Sequence, residues 1–222
     1  MLSFSNVAFS YPNQPVFTDL NFSLDQGEFS FIIGKSGSGK STLLQLVYMN
    51  IMPTVGNVTF SQFDSSLVKP KDLPYLRRKL GIIFQDFRLL RDRNIYENIS
   101  FILEATNTPR REIKRKVNNA LTDVGLSHRR YSMPDELSGG EKQRIAIARA
   151  IVNEPVLILA DEPTGNLDPE TSYEILDILL QIHSRGTAVL FATHNYEIVK
   201  KYPAKIIKIE DGKALKAVLK QK

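Results

Sequence analysis

The chain has 222 residues, 42% of them apolar and 24% charged, the composition of a folded globule rather than of a disordered or fibrous chain. It contains no cysteine, which excludes disulfide scaffolds, Cys-ligated zinc or iron–sulfur centres and thiol catalysis. The net charge of +5 comes from one end, where Lys200 to Lys222 holds eight lysines against Glu210 and Asp211, so the excess predicts a solvated basic C-terminal face with membrane-surface contact as a secondary expectation.

Met1 to Tyr11 alternates polar and apolar residues with no basic segment ahead of an apolar block, so no secretory signal is expected, and a cytoplasmic chain is the default. No apolar run approaches the roughly 18 residues that span a bilayer. Leu2 and Phe4, then Val7, Phe9 and Tyr11, predict a half-buried strand, and after the Tyr11-Pro12-Asn13 turn Leu20, Phe22 and Leu24 predict its antiparallel partner. Phe29–Ile33 is a continuous apolar run of the kind buried on both faces; a glycine-rich turn and a helix over Ser41–Tyr48 follow. From Arg91 to Pro134 helix signals replace strand signals: Asn94–Ala105, then Thr108 as cap with Pro109 at the first helical position, then Arg110–Val124 stopped by Gly125. Two helix–strand pairs come next, Glu141–Val152 with Val156–Ala160 and Glu170–Ile182 with Thr187–Ala192, and Asp168 and Pro169 are the cap and first residue of the second helix. Ile206–Ile209 and an Asp211-Gly212 hairpin signal close the chain, where Leu215, Val218 and Leu219 fit either a helix or a strand. The alternation predicts an α/β fold with a parallel-sheet core, an N-terminal antiparallel β sub-domain and an inserted helical sub-domain. A single domain over 1–222 would divide into β sub-domain plus core at 1–90 and 136–222 and helical sub-domain at 91–135.

Three segments carry chemistry. Gly34-Lys35-Ser36-Gly37-Ser38-Gly39-Lys40-Ser41 fits G-x-x-x-x-G-K-[ST] between a buried strand and a helix, the setting of a phosphate-binding loop. Its backbone N–H groups and the helix N-terminus would face the phosphates of ATP, Lys40 would supply a cation, and Ser41 a hydroxyl for Mg²⁺, with Thr42 beside it. The strand Val156–Ala160 delivers Asp161 and Glu162 to the end of the sheet, which suits Asp161 to the Mg²⁺ shell and Glu162 to the role of base for the attacking water. Leu137-Ser138-Gly139-Gly140-Glu141 opens a second helix with a second anion site. One nucleotide does not need two such sites, so Ser138 and Gly140 are expected to face the γ-phosphate held by another copy, which makes a homodimer necessary.

With those residues in that order the chain resembles the nucleotide-binding domains of ABC ATPases over essentially its whole length, within the P-loop NTPases. The resemblance makes Leu137–Glu141, continued by Lys142-Gln143-Arg144, the signature and Asp161-Glu162-Pro163-Thr164 the Walker B segment. It implies that Asn166, Leu167 and Asp168 form the D-loop at the dimer face, that Tyr11 stacks on adenine, that Gln85 links Mg²⁺ to the helical sub-domain, and that His194 contacts the γ-phosphate. Asn195 departs from the acidic residue usual after that histidine and puts its local hydrogen bonding in doubt. His128 and His183 are read as unremarkable, one in a loop and one at a helix end.

Phe84-Gln85-Asp86-Phe87-Arg88-Leu89-Leu90-Arg91-Asp92-Arg93-Asn94 and the ADEPTGNLD stretch Ala160–Asp168 are similar to the FtsE family of bacterial cell-division ATPases. That narrower resemblance implies an integral membrane partner of the FtsX type, coupled through Phe87, Arg88, Leu89 and Leu90, and control of peptidoglycan hydrolases from the cytoplasmic face of the inner membrane. ATPases of lipoprotein-releasing or macrolide-exporting systems share ADEPTGNLD and are the near alternative. A soluble ABC protein acting on ribosomes or nucleic acid is the distant one, and nucleic acid is not an expected partner because neither a second cassette nor an RNP-like or zinc-finger pattern is present.

Overall fold

The structure is a computed structural model that describes residues 1–217. In chain order the strands and helices are β1 (Leu2–Tyr11), β2 (Gln14–Leu24), β3 (Phe29–Ile33), α1 (Lys40–Val47), β4 (Val55–Phe60), β5 (Phe63–Asp64), α2 (Leu73–Arg77) and β6 (Leu80–Ile83). There follow α3 (Ile95–Ala105), α4 (Arg110–Asp123), α5 (Gly139–Ile151), β7 (Leu157–Asp161), α6 (Pro169–Ser184), β8 (Ala188–Thr193), α7 (Tyr196–Lys201), β9 (Lys205–Glu210) and β10 (Lys213–Ala217).

These strands form one sheet in the order β5-β4-β1-β2-β10-β9-β3-β8-β7-β6. The β5 to β2 end is antiparallel, and β9, β3, β8, β7 and β6 run parallel. Pro12 presets the first central position of the β1–β2 turn and Asn13, at φ 63°, takes the left-handed second one. The two halves meet at β10, which pairs antiparallel with β9 and touches β2 through Lys213 and Asp19. Leu215 therefore lies in a strand, and Val218 and Leu219 lie outside the described residues.

The unbroken apolar runs reflect helices on both faces of the parallel sheet. Phe31 and Phe191 point into a core with α3, α4, α5 and α6, while the intervening Ile32 and Leu190 point into a second core with α1 and the N-terminal strands. Local signals fix the helix starts. Asp168 caps α6 by accepting from Thr171 N at 2.9 Å, and Asn94 and Glu97 form a reciprocal capping box on α3. One predicted boundary shifts: Pro109, at φ −55° and ψ 131°, is itself the cap of α4, and Thr108 lies outside the helix.

Candidate active site

Register places the chemistry. Ile33 pairs with Thr193, Ile83 with Ala160, and Asp161 with Ala192. The segments leaving these strands, Gly34 onward, Gln85, Glu162 and His194, therefore emerge at the same carboxyl edge of the parallel sheet, where open α/β folds bind ligands.

Lys40 is 6% exposed, and its Nζ donates to Gly34 O at 3.0 Å and Lys35 O at 3.2 Å and lies 3.1 Å from Glu162 Oε1. The other oxygen, Glu162 Oε2, accepts from His194 N at 3.2 Å and lies 2.9 Å from His194 Nδ1. Glu162 has φ 47°, a left-handed conformation that costs a residue with a side chain about 1–3 kcal/mol and recurs at functional sites. Ser41 Oγ donates to Asp161 Oδ1 at 3.0 Å. Burial, reinforced by the neighbouring Glu162 charge, raises the Asp161 pKa above 3.8, against the Ser41 bond and the Lys40 and Arg88 charges.

The phosphate loop has the space its glycines imply. A β-carbon on Gly37, at φ 78°, would meet nothing within 4 Å, while one on Gly39, at φ 99°, would strike Val16 and Phe17. Ser38 Oγ is enclosed with no hydrogen-bond partner among the described residues, a donor suited to a phosphate oxygen. Lys35 and Ser36 are exposed on the loop and Thr42 is buried behind it, 3.5 Å from the Tyr11 hydroxyl. The Tyr11 ring stands edge-on to Phe9 with its centroid 4.9 Å away, and the residue is 36% exposed. Ser41 and Asp161 provide the oxygen donors that suit Mg²⁺, which usually takes one or two protein ligands and leaves the rest to water and phosphates.

Gln85 stands outside this bonded cluster. Its side chain lies against Gly165, and its carbonyl accepts from Asn166 Nδ2 at 3.2 Å. A second group of residues lines a groove of about 540 Å³: Ser138, Gly139, Gly140 and Glu141 with Asn166, Leu167 and Asp168. Ser138 and Glu141 cap the helix reciprocally, and the buried Leu137 anchors the turn. The Ser138 N–H, then Arg129, hold the Glu141 carboxyl below 4.5. His128, which the sequence alone left unremarkable, lines the same groove. No local motif marks it; the α4 to α5 connection carries it there. His183 closes α6, 3.2 Å from Thr187 O. Asn195 caps α7 by accepting from Glu197 N and Ile198 N, which resolves the hydrogen bonding beside His194.

Residues 17–165 match the family described as ABC transporter. The chain belongs to that family. It is 43% identical over 213 residues to the cell division ATP-binding protein FtsE of Bacillus subtilis, spanning 96% of this chain and 93% of that one. It is 47% identical over 197 residues to the FtsE of Streptococcus pneumoniae strain D39, spanning 89% and 86%. The fold superposes on a dimeric post-hydrolysis structure of the ATP-binding cassette MJ0796 bound to ADP and Pi with a TM-score of 0.86, at 31% identity and 96% coverage of both chains. It is an FtsE-like ATPase subunit that binds and hydrolyses ATP on the P-loop ABC fold.

Proposed function

We propose that two copies close around two MgATP molecules and that hydrolysis at their interface drives a membrane partner of the FtsX type in cell division. The observation that carries the catalytic part is the convergence of Lys40, Ser41, Asp161, Glu162 and His194 at one sheet edge. Lys40 and the loop from Gly34 to Ser41 bind the phosphates, with Thr42 behind them, and Tyr11 stacks on the adenine. Glu162 takes a proton from the attacking water, while His194, on the same carboxylate, orients it and the γ-phosphate. Ser41, Asp161 and Gln85 are the residues that would hold Mg²⁺, which when bound neutralises charge between the β- and γ-phosphates.

The signature and D-loop line a groove of their own. That separation suits Ser138, Gly139 and Gly140 to a nucleotide bound by the other copy, with Leu167 and Asp168 facing the partner cassette; the dimeric MJ0796 cassette supports the same assembly.

Residues 91–135 act as the helical sub-domain. Between it and the core runs a groove of about 470 Å³ lined by Ile82, Phe84, Arg88, Leu90, Phe101 and Ile102. Phe87 and Leu89 flank it in sequence, and its apolar floor and basic rim suit a cytoplasmic element of the membrane partner. No helix among the described residues is long and apolar enough to cross a membrane, and attachment to the cytoplasmic face through the partner accounts for how motion reaches peptidoglycan hydrolases outside.

The test is to isolate the Glu162→Gln chain from native membranes under MgATP and identify what accompanies it. An FtsX-like protein sustains the proposal. A lipoprotein-release or macrolide-export permease keeps the ATPase chemistry and replaces the cell-division role.

A further inference from the structure

Two side chains from different helices hold the segment that follows Gln85. Arg149, in the last turn of α5, donates through Nη2 to Phe87 O at 2.7 Å and through Nη1 to Arg88 O. Phe87 and Arg88 have φ of 58° and 48°, consecutive left-handed residues with side chains, a conformation seldom adopted without outside support. Asn98 of α3 is fully buried and holds the next stretch: Oδ1 accepts from Leu90 N at 2.7 Å, and Nδ2 donates to Leu90 O, Arg93 O and Asn94 O.

The two anchors differ in what they connect. Asn98 ties the segment to the helix that immediately follows it. Arg149, 61 residues on from Arg88, ties it to the helix that begins at the signature with Ser138 as its cap. Ser138 and Arg149 thus sit at opposite ends of one rod, roughly 16 Å apart at 1.5 Å per residue. The segment that Arg149 grips also meets the catalytic edge, through the bond from Asn166 to Gln85 O. A guanidinium suits this task because its planar fork can hold two carbonyls at once in fixed directions, which an ammonium cannot.

We propose that Arg149 is a positioning residue for ATP hydrolysis, latching the Phe87–Arg88 turn, and with it the Gln85 segment, to the helix that carries Ser138 to Glu141 so that the two move as one body. It rests on the assignment of Gln85 and the signature to nucleotide. Closure of the signature on a second copy then brings Gln85 with it.

The test compares Arg149→Gln and Arg149→Lys with the parent in the full chain, by amide hydrogen exchange across residues 84–92, steady-state ATP hydrolysis, and MgATP-dependent dimerisation in the Glu162→Gln background. Arg149→Gln should speed exchange at residues 86–91 by about tenfold or more while β3 and α1 keep their protection. In the same variant kcat should fall about fivefold or more with KM for MgATP within about twofold, and Arg149→Lys should recover part of both losses. Unchanged exchange at residues 86–91 overturns the latch. So does acceleration spread evenly over the core with a lowered melting temperature, or a raised KM at constant kcat. If the chain with Arg149 intact fails to dimerise on MgATP, the signature assignment fails instead, and the exchange comparison without nucleotide still judges the latch.

Discussion

Lys40 and Glu162 lie 3.1 Å apart, both nearly buried, so the cation proposed to bind phosphate and the carboxylate proposed as general base share one ion pair. A nucleotide entering the loop competes with Glu162 and with the Gly34 and Lys35 carbonyls for the same ammonium. Glu162→Gln removes the base and releases that ammonium from a charged partner. Turnover should fall about 10²–10⁴-fold, the usual contribution of a positioned base, while ATP affinity stays equal or rises. Phosphate release and equilibrium nucleotide binding separate the two effects; undiminished turnover would sink the assignment of Glu162 as base.

Asp161 and Asp168 should respond to pH in opposite directions. Burial and the Glu162 charge raise Asp161 above its unfolded value of 3.8. Its contribution to stability is therefore complete below pH 3.8 and is lost as pH rises through the raised folded value. Asp161→Asn should melt higher than the parent near pH 7.5 without nucleotide, the gap closing toward pH 4, even as Mg²⁺-dependent hydrolysis is lost. A gap that widens in acid would contradict this.

The Thr171 hydroxyl, then its backbone N–H, hold the Asp168 carboxyl below 3.8. Here the folded value lies under the unfolded one, so the stabilisation is present above pH 3.8 and disappears as pH falls through the lowered value. Asp168→Ala should reduce the melting temperature at neutral pH, and Asp168→Asn, which keeps an acceptor for Thr171 N, should restore most of it. Thermal melts of the three chains at pH 7 check this; equal losses for Ala and Asn would show that the cap is not what matters.

Two glycines of the phosphate loop should differ in what a methyl group does. At Gly39 a β-carbon lies 2.7 Å from Val16 Cγ1 and 2.9 Å from the Phe17 ring, besides the strained φ. Gly39→Ala should cost about 1–3 kcal/mol and abolish ATP binding. Gly37→Ala meets no atom of the described residues within 4 Å, so its φ of 78° is what opposes it and the fold should tolerate it better. Denaturant titrations of both variants make the comparison, and an equal loss would mean that packing against β2 is not the deciding term.

Much of the site was legible because its segments are continuous motifs, and the phosphate-loop and Asp161-Glu162 segments each leave a strand that reads as buried on both sides. β3, β7 and β8 and the helices α1, α5 and α6 could be placed from those runs and caps. β6 could not: Leu80–Ile83 is four residues long and interrupted by Gly81, which the sequence gives no reason for. In the fold a β-carbon at Gly81 would lie 2.6 Å from Ala150 O, so the glycine admits the close approach of α5. β4 and β5 were hidden for a similar reason. Gly56, at φ 76°, breaks the alternation of β4, and a β-carbon there would collide with Asn6 O at 2.2 Å. Arg149 carried no local signal because the carbonyls it holds lie more than sixty residues off in sequence, and His128 lies in a connection that no motif marks. The Thr108 boundary failed because Pro109 reaches the cap conformation with its own φ.

The seam of the sheet is closed by β10, the last described strand, whose Lys213 reaches Asp19 while Gly212 O accepts from Thr18 N at 3.1 Å. During synthesis every other described strand is available before this one. The strand that carries Tyr11 and the strand that leads into the Gly34–Ser41 loop therefore acquire a continuous hydrogen-bonded connection only when the β9–β10 hairpin has emerged from the ribosome. A nascent chain halted before Lys213 would display both halves of the sheet without that link, so the seam closes only after both of its sides have been made.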